Sequence, residues 1–235
     1  MSSYSLLYIL VPFLVTAFGG YRYLGNQGAA SDASELWAAR RGFPPAPAPY
    51  GGSTPMLELP DAQAEDCCEV PLGSVPGTLF NWTWVIADNR SAEAQMLGVP
   101  GGLQMGQVTM VQAMLAAGFP HFRVVHRRGF VAPNGEADEQ EVHLESVEFG
   151  KRFRLLAGSD GDREALMRLF TPELIVWFTD LGDGAPVVEY WMGTLVVSTR
   201  VACVTDDEYD ALLEAAQRIA GQVLAQGAAQ RASLA

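Results

Sequence analysis

"VVEYWMGTLVVSTRV", residues 187–201, joins two runs of β-branched and aromatic residues at Met192-Gly193. That pattern reads as a β-hairpin turning at the Met-Gly pair. Just beyond it, Thr205 and Glu208 have the T-x-x-E spacing of a helix capping box. Tyr209, Leu212, Leu213, Ala216, Ile219, Ala220, Val223 and Leu224 then recur at helical spacing. A helix with an apolar stripe must bury it, and the sheet that holds the hairpin is the surface at hand. The expected fold class is therefore α+β, with antiparallel strands and a long C-terminal helix packed on the sheet.

Upstream segments fit that frame. "CCEVPLG" (67–73), "TLFNWTWVIAD" (78–88), "QVTMVQAML" (107–115) and "HFRVVHR" (121–127) read as strands. In the second, Asn81 and Thr83 alternate with Phe80, Trp82 and Trp84, as in a half-buried strand. "GVPGGLQMG" (98–106) reads as a turn, and the acidic "PNGEADEQE" (133–141) as a solvated loop. Thr171-Pro172-Glu173 is a helix start: a capping hydroxyl, Pro at the first position, then an acid.

"HLESVEFGKRFRLLAGSD", residues 143–160, has the look of a site. Glu145 and Glu148 suggest paired carboxylates, and Lys151, Arg152 and Arg154 suggest an anion pocket. Physical spacing favours structure instead. Phe149 and Phe153 are four apart and pack together on a helical turn entering the strand "RFRLL". The acids precede the bases, the favourable order along a helix. Leu144-Glu145-Ser146, Phe149, Phe153, Ser159-Asp160 and Leu169 to Leu174 together resemble a bacterial domain family with the pattern LE-x-x-x-F-x-x-x-F, SD, then TP and an apolar helix. In similar single-pass actinobacterial membrane proteins a "WAARRGF"-like helix follows the anchor, matched here by Trp37 to Phe43. Where the family has an ARYLLTP-like segment this chain has "ALMRLFTP", and Phe149-Gly150 stands in place of FN. The resemblance implies a membrane-anchored layout and carries no activity or catalytic residue over to this chain.

Ser2 to Tyr21 contains no charged side chain. As a helix it rises about 30 Å, enough to cross a hydrocarbon core. Tyr4, Tyr8, Tyr21 and Tyr23 suit the interfaces, and Pro12 is tolerated as a kink. Ala17-x-Gly19 offers a competing signal-peptide reading. No Lys or Arg precedes the apolar run, whereas Arg22, Arg40 and Arg41 follow it. The positive-inside rule then puts the N-terminus outside and the rest in the cytoplasm, held at the inner membrane through residues 4–21. The expected division is an anchor at 1–24, a juxtamembrane helix and Pro/Gly-rich spacer at 25–55, an α+β domain at 56–228 and a flexible tail at 229–235. In the helix, Asp32 and Glu35 have capping-box spacing and Gly42 lies just past the end. It rests on headgroups through Trp37, Arg40 and Arg41, or packs on its own domain. "FPPAPAPYGGSTP" (43–55) is a spacer or a loop over the domain.

The formal charge of −12 over 235 residues disfavours nucleic acid as a partner. Cys67, Cys68 and Cys203 make an odd set with two adjacent members, so reduced thiols are expected. There is no CxxC, helical HxxxH or HExxH, and His121 and His126 fall on opposite faces of their strand. No motif in the sequence assigns a catalytic, cofactor-binding or metal-binding residue. Asn81-Trp-Thr83 and Asn89-Arg-Ser91 fit the glycosylation sequon, a short and common motif. Arg123, His126, Arg127 and Arg128 form a basic concentration that reads as a solvated strand end, or as a face toward the membrane or an acidic partner. Trp82, Trp84, Trp177 and Trp191 read as core or platform aromatics.

The leading expectation is an interaction or scaffolding module, with no small-molecule cofactor. The alternative is a small-molecule or lipid-binding domain with a pocket between the sheet and the C-terminal helix. The third is an enzyme using Asp160, Asp162 or Glu189. A binder needs a mostly apolar cavity of about 300–1,000 Å³. A cleft bearing several carboxylates counts against the scaffold.

Overall fold

Met192 and Gly193 both carry positive φ, 47° and 87°, as a two-residue type I′ hairpin requires. The structure is a computed structural model that describes residues 32–49, 54–58, 62–87, 103–115, 118–127, 139–158 and 163–233. The expected anchor at 1–24 and Asn89, Arg128, Ser159, Asp160 and Asp162 lie outside the described residues. Among those described, no helix is long and apolar enough to cross a membrane.

In chain order the elements begin with helix α1 (32–41). Strands β1 (Gln63–Leu72), β2 (Val75–Ala87), β3 (Leu103–Met114), β4 (Phe122–His126) and β5 (Gln140–Val142) follow. Helix α2 (Val147–Arg152) leads into β6 (Phe153–Ala157), then α3 (Arg163–Leu169) and α4 (Pro172–Leu181). The hairpin β7 (Val187–Trp191) and β8 (Thr194–Ser198) precedes α5 (Asp206–Ser233). Short 3-10 turns lie at Pro55–Leu57 and Gly182–Gly184. The fold is thus α+β, as the hairpin and stripe imply. Leu103 to Gly106 belong to β3 rather than to a turn, because Val85 and Trp84 pair with Met105 and Gly106. Gln140 and Glu141 likewise leave the solvated loop to pair with β6.

All eight strands form one sheet in the order β1-β2-β3-β8-β7-β4-β6-β5. Every neighbouring pair is antiparallel. Alternation along the strands gives the sheet two buried faces. Leu79, Val111, Phe122, Val124, Val188, Leu195 and Val197 face the helices. There Phe149, Phe153, Phe170 and Phe178 form an aromatic cluster, with Phe149 and Phe153 centroids 5.1 Å apart. Tyr209, Leu212, Ala216, Ile219, Ala220 and Val223 of α5 are buried in the same layer. The opposite face carries Phe80, Trp82, Trp84, Val108, Met110 and Val196, covered in part by Met56 and Leu57. Gly106 lies directly under the Trp84 ring, where a Cβ would come within 2.2 Å of the indole.

Helix α1 packs on the domain rather than on headgroups. Trp37 is fully buried, stacked on Tyr209 at 5.2 Å, and its Nε1 donates to Asp210. Arg40 pairs with Asp206, and Arg41 with Asp210. Gly42 (φ 70°) ends the helix, with Phe43 N–H bonded to Ala38 O at 2.9 Å. The Pro-rich run then lies along the outer edge of β1. Glu69 N–H donates to Pro44 O at 2.8 Å and Ala46 N–H to Cys67 O at 2.9 Å. The folded unit therefore starts by residue 32, upstream of Met56. At the other end α5 remains helical to Ser233, so residues 229–233 are not a tail.

Candidate functional site

Two helix ends and a loop build the site. Thr171 Oγ1 accepts from Leu174 N–H at 3.4 Å and Pro172 occupies the first turn, which starts α4 as its sequence requires. Leu174 and Phe178 then point into the core, leaving Trp177 half-buried on the helix flank. Gly182 (φ 55°) stops the helix and turns the chain toward β7. On the facing side, Glu208 accepts from Val204 and Thr205 N–H at 2.8 and 3.0 Å, and Glu208 N–H donates to Thr205 Oγ1 at 3.4 Å. This capping box pins the 199–205 loop to the start of α5.

Between α4, the 182–184 turn, that loop and the first turns of α5 lies a cleft of about 530 Å³. Its floor is apolar: Pro186, Cys203, Leu212 and Ala215 are buried there, flanked by Trp177 and Leu181. Its mouth is charged, with exposed Asp183, Asp207, Glu208 and Glu214 and half-buried Arg200. Exposed Val201 lies among the same lining residues. Burial pushes the Cys203 thiol up to about 11, so at neutral pH it is protonated and a poor nucleophile. Its N–H donates to Thr109 Oγ1 at 2.8 Å, and Tyr209 OH donates to its carbonyl at 2.9 Å. These bonds make Cys203 a packed wall of the cleft. Trp177 also borders a second, more open recess of about 440 Å³, shared with Pro172, Glu173, Val176, Asp180 and Arg218. The Arg218 guanidinium lies 5.1 Å over the indole.

Glu189 lies on the opposite face of the sheet, away from this cleft. It is fully buried, with Arg123 Nε 3.2 Å from Oε1 and Met56 N–H donating to Oε2 at 2.8 Å. Arg123 Nη1 also donates to Glu139, at 3.0 and 3.2 Å. Burial pushes the Glu189 carboxyl up and Arg123 opposes the shift. His121 packs edge-on against Trp191 at 4.2 Å, and burial followed by Arg123 pushes it down to about 4. These contacts tie the 54–58 turn to the sheet.

The basic concentration is not one surface. Arg123 is buried beneath the turn, His126 is buried on the helix face with Nε2 2.7 Å from Ala185 O, and Arg127 pairs with Glu141. Odd spacing along one strand sends Arg123 and His126 to opposite faces. Residues 143–158 of the 143–160 run are held in structural contacts too. Ser146 caps α2, Lys151 pairs with Glu148 at 2.7 Å on the surface, Arg152 donates to Thr179 O and Arg154 to Glu141. Its apparent anion pocket is divided among these partners.

All three cysteines are free; Cys68 is buried toward the helices and Cys67 is half-buried with the other face. Among the described residues no group of three or more His, Cys, Asp or Glu is placed to hold a metal ion. Asn81 is buried, bonded to Thr109 at 2.9 Å and Asp66 at 3.2 Å, which closes that sequon in the fold. The pocket expected between the sheet and the C-terminal helix lies instead between α4, the 182–184 turn, the 199–205 loop and α5, because the stripe of α5 closes directly on the sheet. The signal for it in the sequence was Trp177, one step off the Leu174–Phe178 stripe of its own helix.

No family model matches the chain, and no curated protein matches it. Among solved structures it is similar to the crystal structure of the mycobacterial trehalose monomycolate transport factor A. The identity is 12% and the TM-score 0.54, over 83% of this chain and 94% of that one. At that identity the likeness establishes a shared fold.

Proposed function

We propose that this chain is a membrane-tethered binding module whose cleft takes the aliphatic part of a long-chain amphiphile. The observation that carries this reading is the cleft of about 530 Å³ beside α5, apolar at its floor and charged at its mouth. Its size is that of a ligand site rather than a packing gap, which rarely exceeds one water. An alkyl chain gains about 0.8 kcal/mol per buried CH₂. Polar headgroup atoms would stay at the charged mouth, still hydrated.

One solved structure with this fold is named as the mycobacterial trehalose monomycolate transport factor A. That name supports a lipid-related role here. The exposed Val176, Leu181 and Val201 line the two recesses and add to their apolar surface. In this reading residues 4–21 form the inner-membrane anchor, with the domain in the cytoplasm. A C-terminal reporter active only outside the cytoplasm would contradict that orientation.

The test of binding fills the cleft. Full-length chain carrying Ala211→Trp, an exposed α5 position in the lining, is titrated with a fluorescent long-chain fatty acid while held in amphipol. Loss of affinity by at least about tenfold, the loss of one well-buried group, supports the cleft. Equal binding by wild type and variant overturns it.

A further inference from the structure

We infer that the second recess, across Trp177 from the apolar cleft, is a headgroup subsite for an uncharged, hydroxyl-rich group such as a sugar. This rests on the reading of the cleft as an aliphatic-chain site and specifies what the chain carries. Trp177 is the common wall of both spaces. In this arrangement the polar end of a ligand whose tail lies in the cleft extends from the charged mouth past Trp177 into the second recess. There it meets Glu173 and Asp180 as acceptors and Arg218 as a donor. Hydroxyls both donate and accept, so a polyol can use all three groups at once.

Charge narrows the class. The two recesses together carry six carboxylates, Glu173, Asp180, Asp183, Asp207, Glu208 and Glu214, against two guanidiniums, Arg200 and Arg218. A phosphate or carboxylate headgroup meets net repulsion there. A quaternary ammonium would suit the charge, but its best seat, the face of the indole, already carries the Arg218 guanidinium. An uncharged polyol meets neither obstacle.

The test uses three amphiphiles with one tail: dodecyl maltoside, dodecyl phosphate and dodecyltrimethylammonium. Each is titrated calorimetrically, below its micellar concentration, into full-length chain held in amphipol. The maltoside is expected to bind at least about tenfold more tightly than the phosphate, the scale of one to two hydrogen bonds. The double change Glu173→Gln with Asp180→Asn should erase that preference, and Arg218→Ala should weaken maltoside binding by removing a donor, while tail binding survives. All three positions are exposed, so the variants keep the fold. Equal or tighter binding of the phosphate, or tightest binding of the ammonium, overturns the headgroup subsite and leaves the cleft standing. So does a preference untouched by the double change, or maltoside binding untouched by Arg218→Ala. Failure of all three amphiphiles to bind overturns the cleft itself, and the subsite with it.

Discussion

Met192 holds a conformation that L side chains avoid, with φ 47°, while 83% of its surface is exposed. Nothing in its packing offsets that strain, and the turn type favours Asn at this position. Met192→Asn should raise stability by about 1 kcal/mol, seen as a higher urea midpoint with an unchanged slope. His121 carries a pH dependence. In the fold it is held neutral down to about 4, against an ordinary value of 6.5. Between those values the unfolded chain holds the extra proton, so this contribution is full above about pH 6.5 and is lost as pH falls toward 4. His121→Gln should flatten the stability profile in that window, as read by urea midpoints at successive pH values; an unchanged profile would remove His121 from the account. The Met-Gly turn was legible because a hairpin dipeptide between two β-rich runs is a local signal. Arg123 was not. Its sequence neighbours made it part of a surface cluster, whereas Glu139, just before β5, and Glu189 of β7 pair with it in the buried interior.

At the scale of elements, helices were readable where caps and stripes are local. Thr171 and the Thr205–Glu208 box cap as their spacing says, and the α5 stripe is buried. The docking of α1 stayed open in the sequence, since an amphipathic helix with a tryptophan and two arginines suits headgroups and a protein surface equally. Asp206 and Asp210, far along the chain, decide it. Buried Trp37 supplies most of the adhesion, because exposed ion pairs contribute only about 0–1 kcal/mol each. Trp37→Ala should cost roughly 3–5 kcal/mol, whereas Arg40→Ala should cost about 1 kcal/mol or less. Urea titration of the two variants separates them, and equal losses would assign the adhesion to charge.

For the whole molecule, the α+β architecture followed from periodicity and turns, but the two recesses did not. Their walls come from α4, the 182–184 turn, the 199–205 loop and α5, and no spacing rule links four separated segments. The start of the domain was hidden for the same reason: a proline-rich run carries no period, so its place against β1 is fixed only by partners some twenty residues on. That placement has a consequence for solubility. A β-sheet border with unsatisfied amides recruits further strands, from a neighbour or another copy of itself. Here the chain lays its own prolines along the border, and a residue without an N–H cannot donate a hydrogen bond outward to a further strand. The stretch between helix and sheet thus doubles as a stopper against fibre-like growth, and a fragment trimmed back to the first strand would leave that border open to self-association.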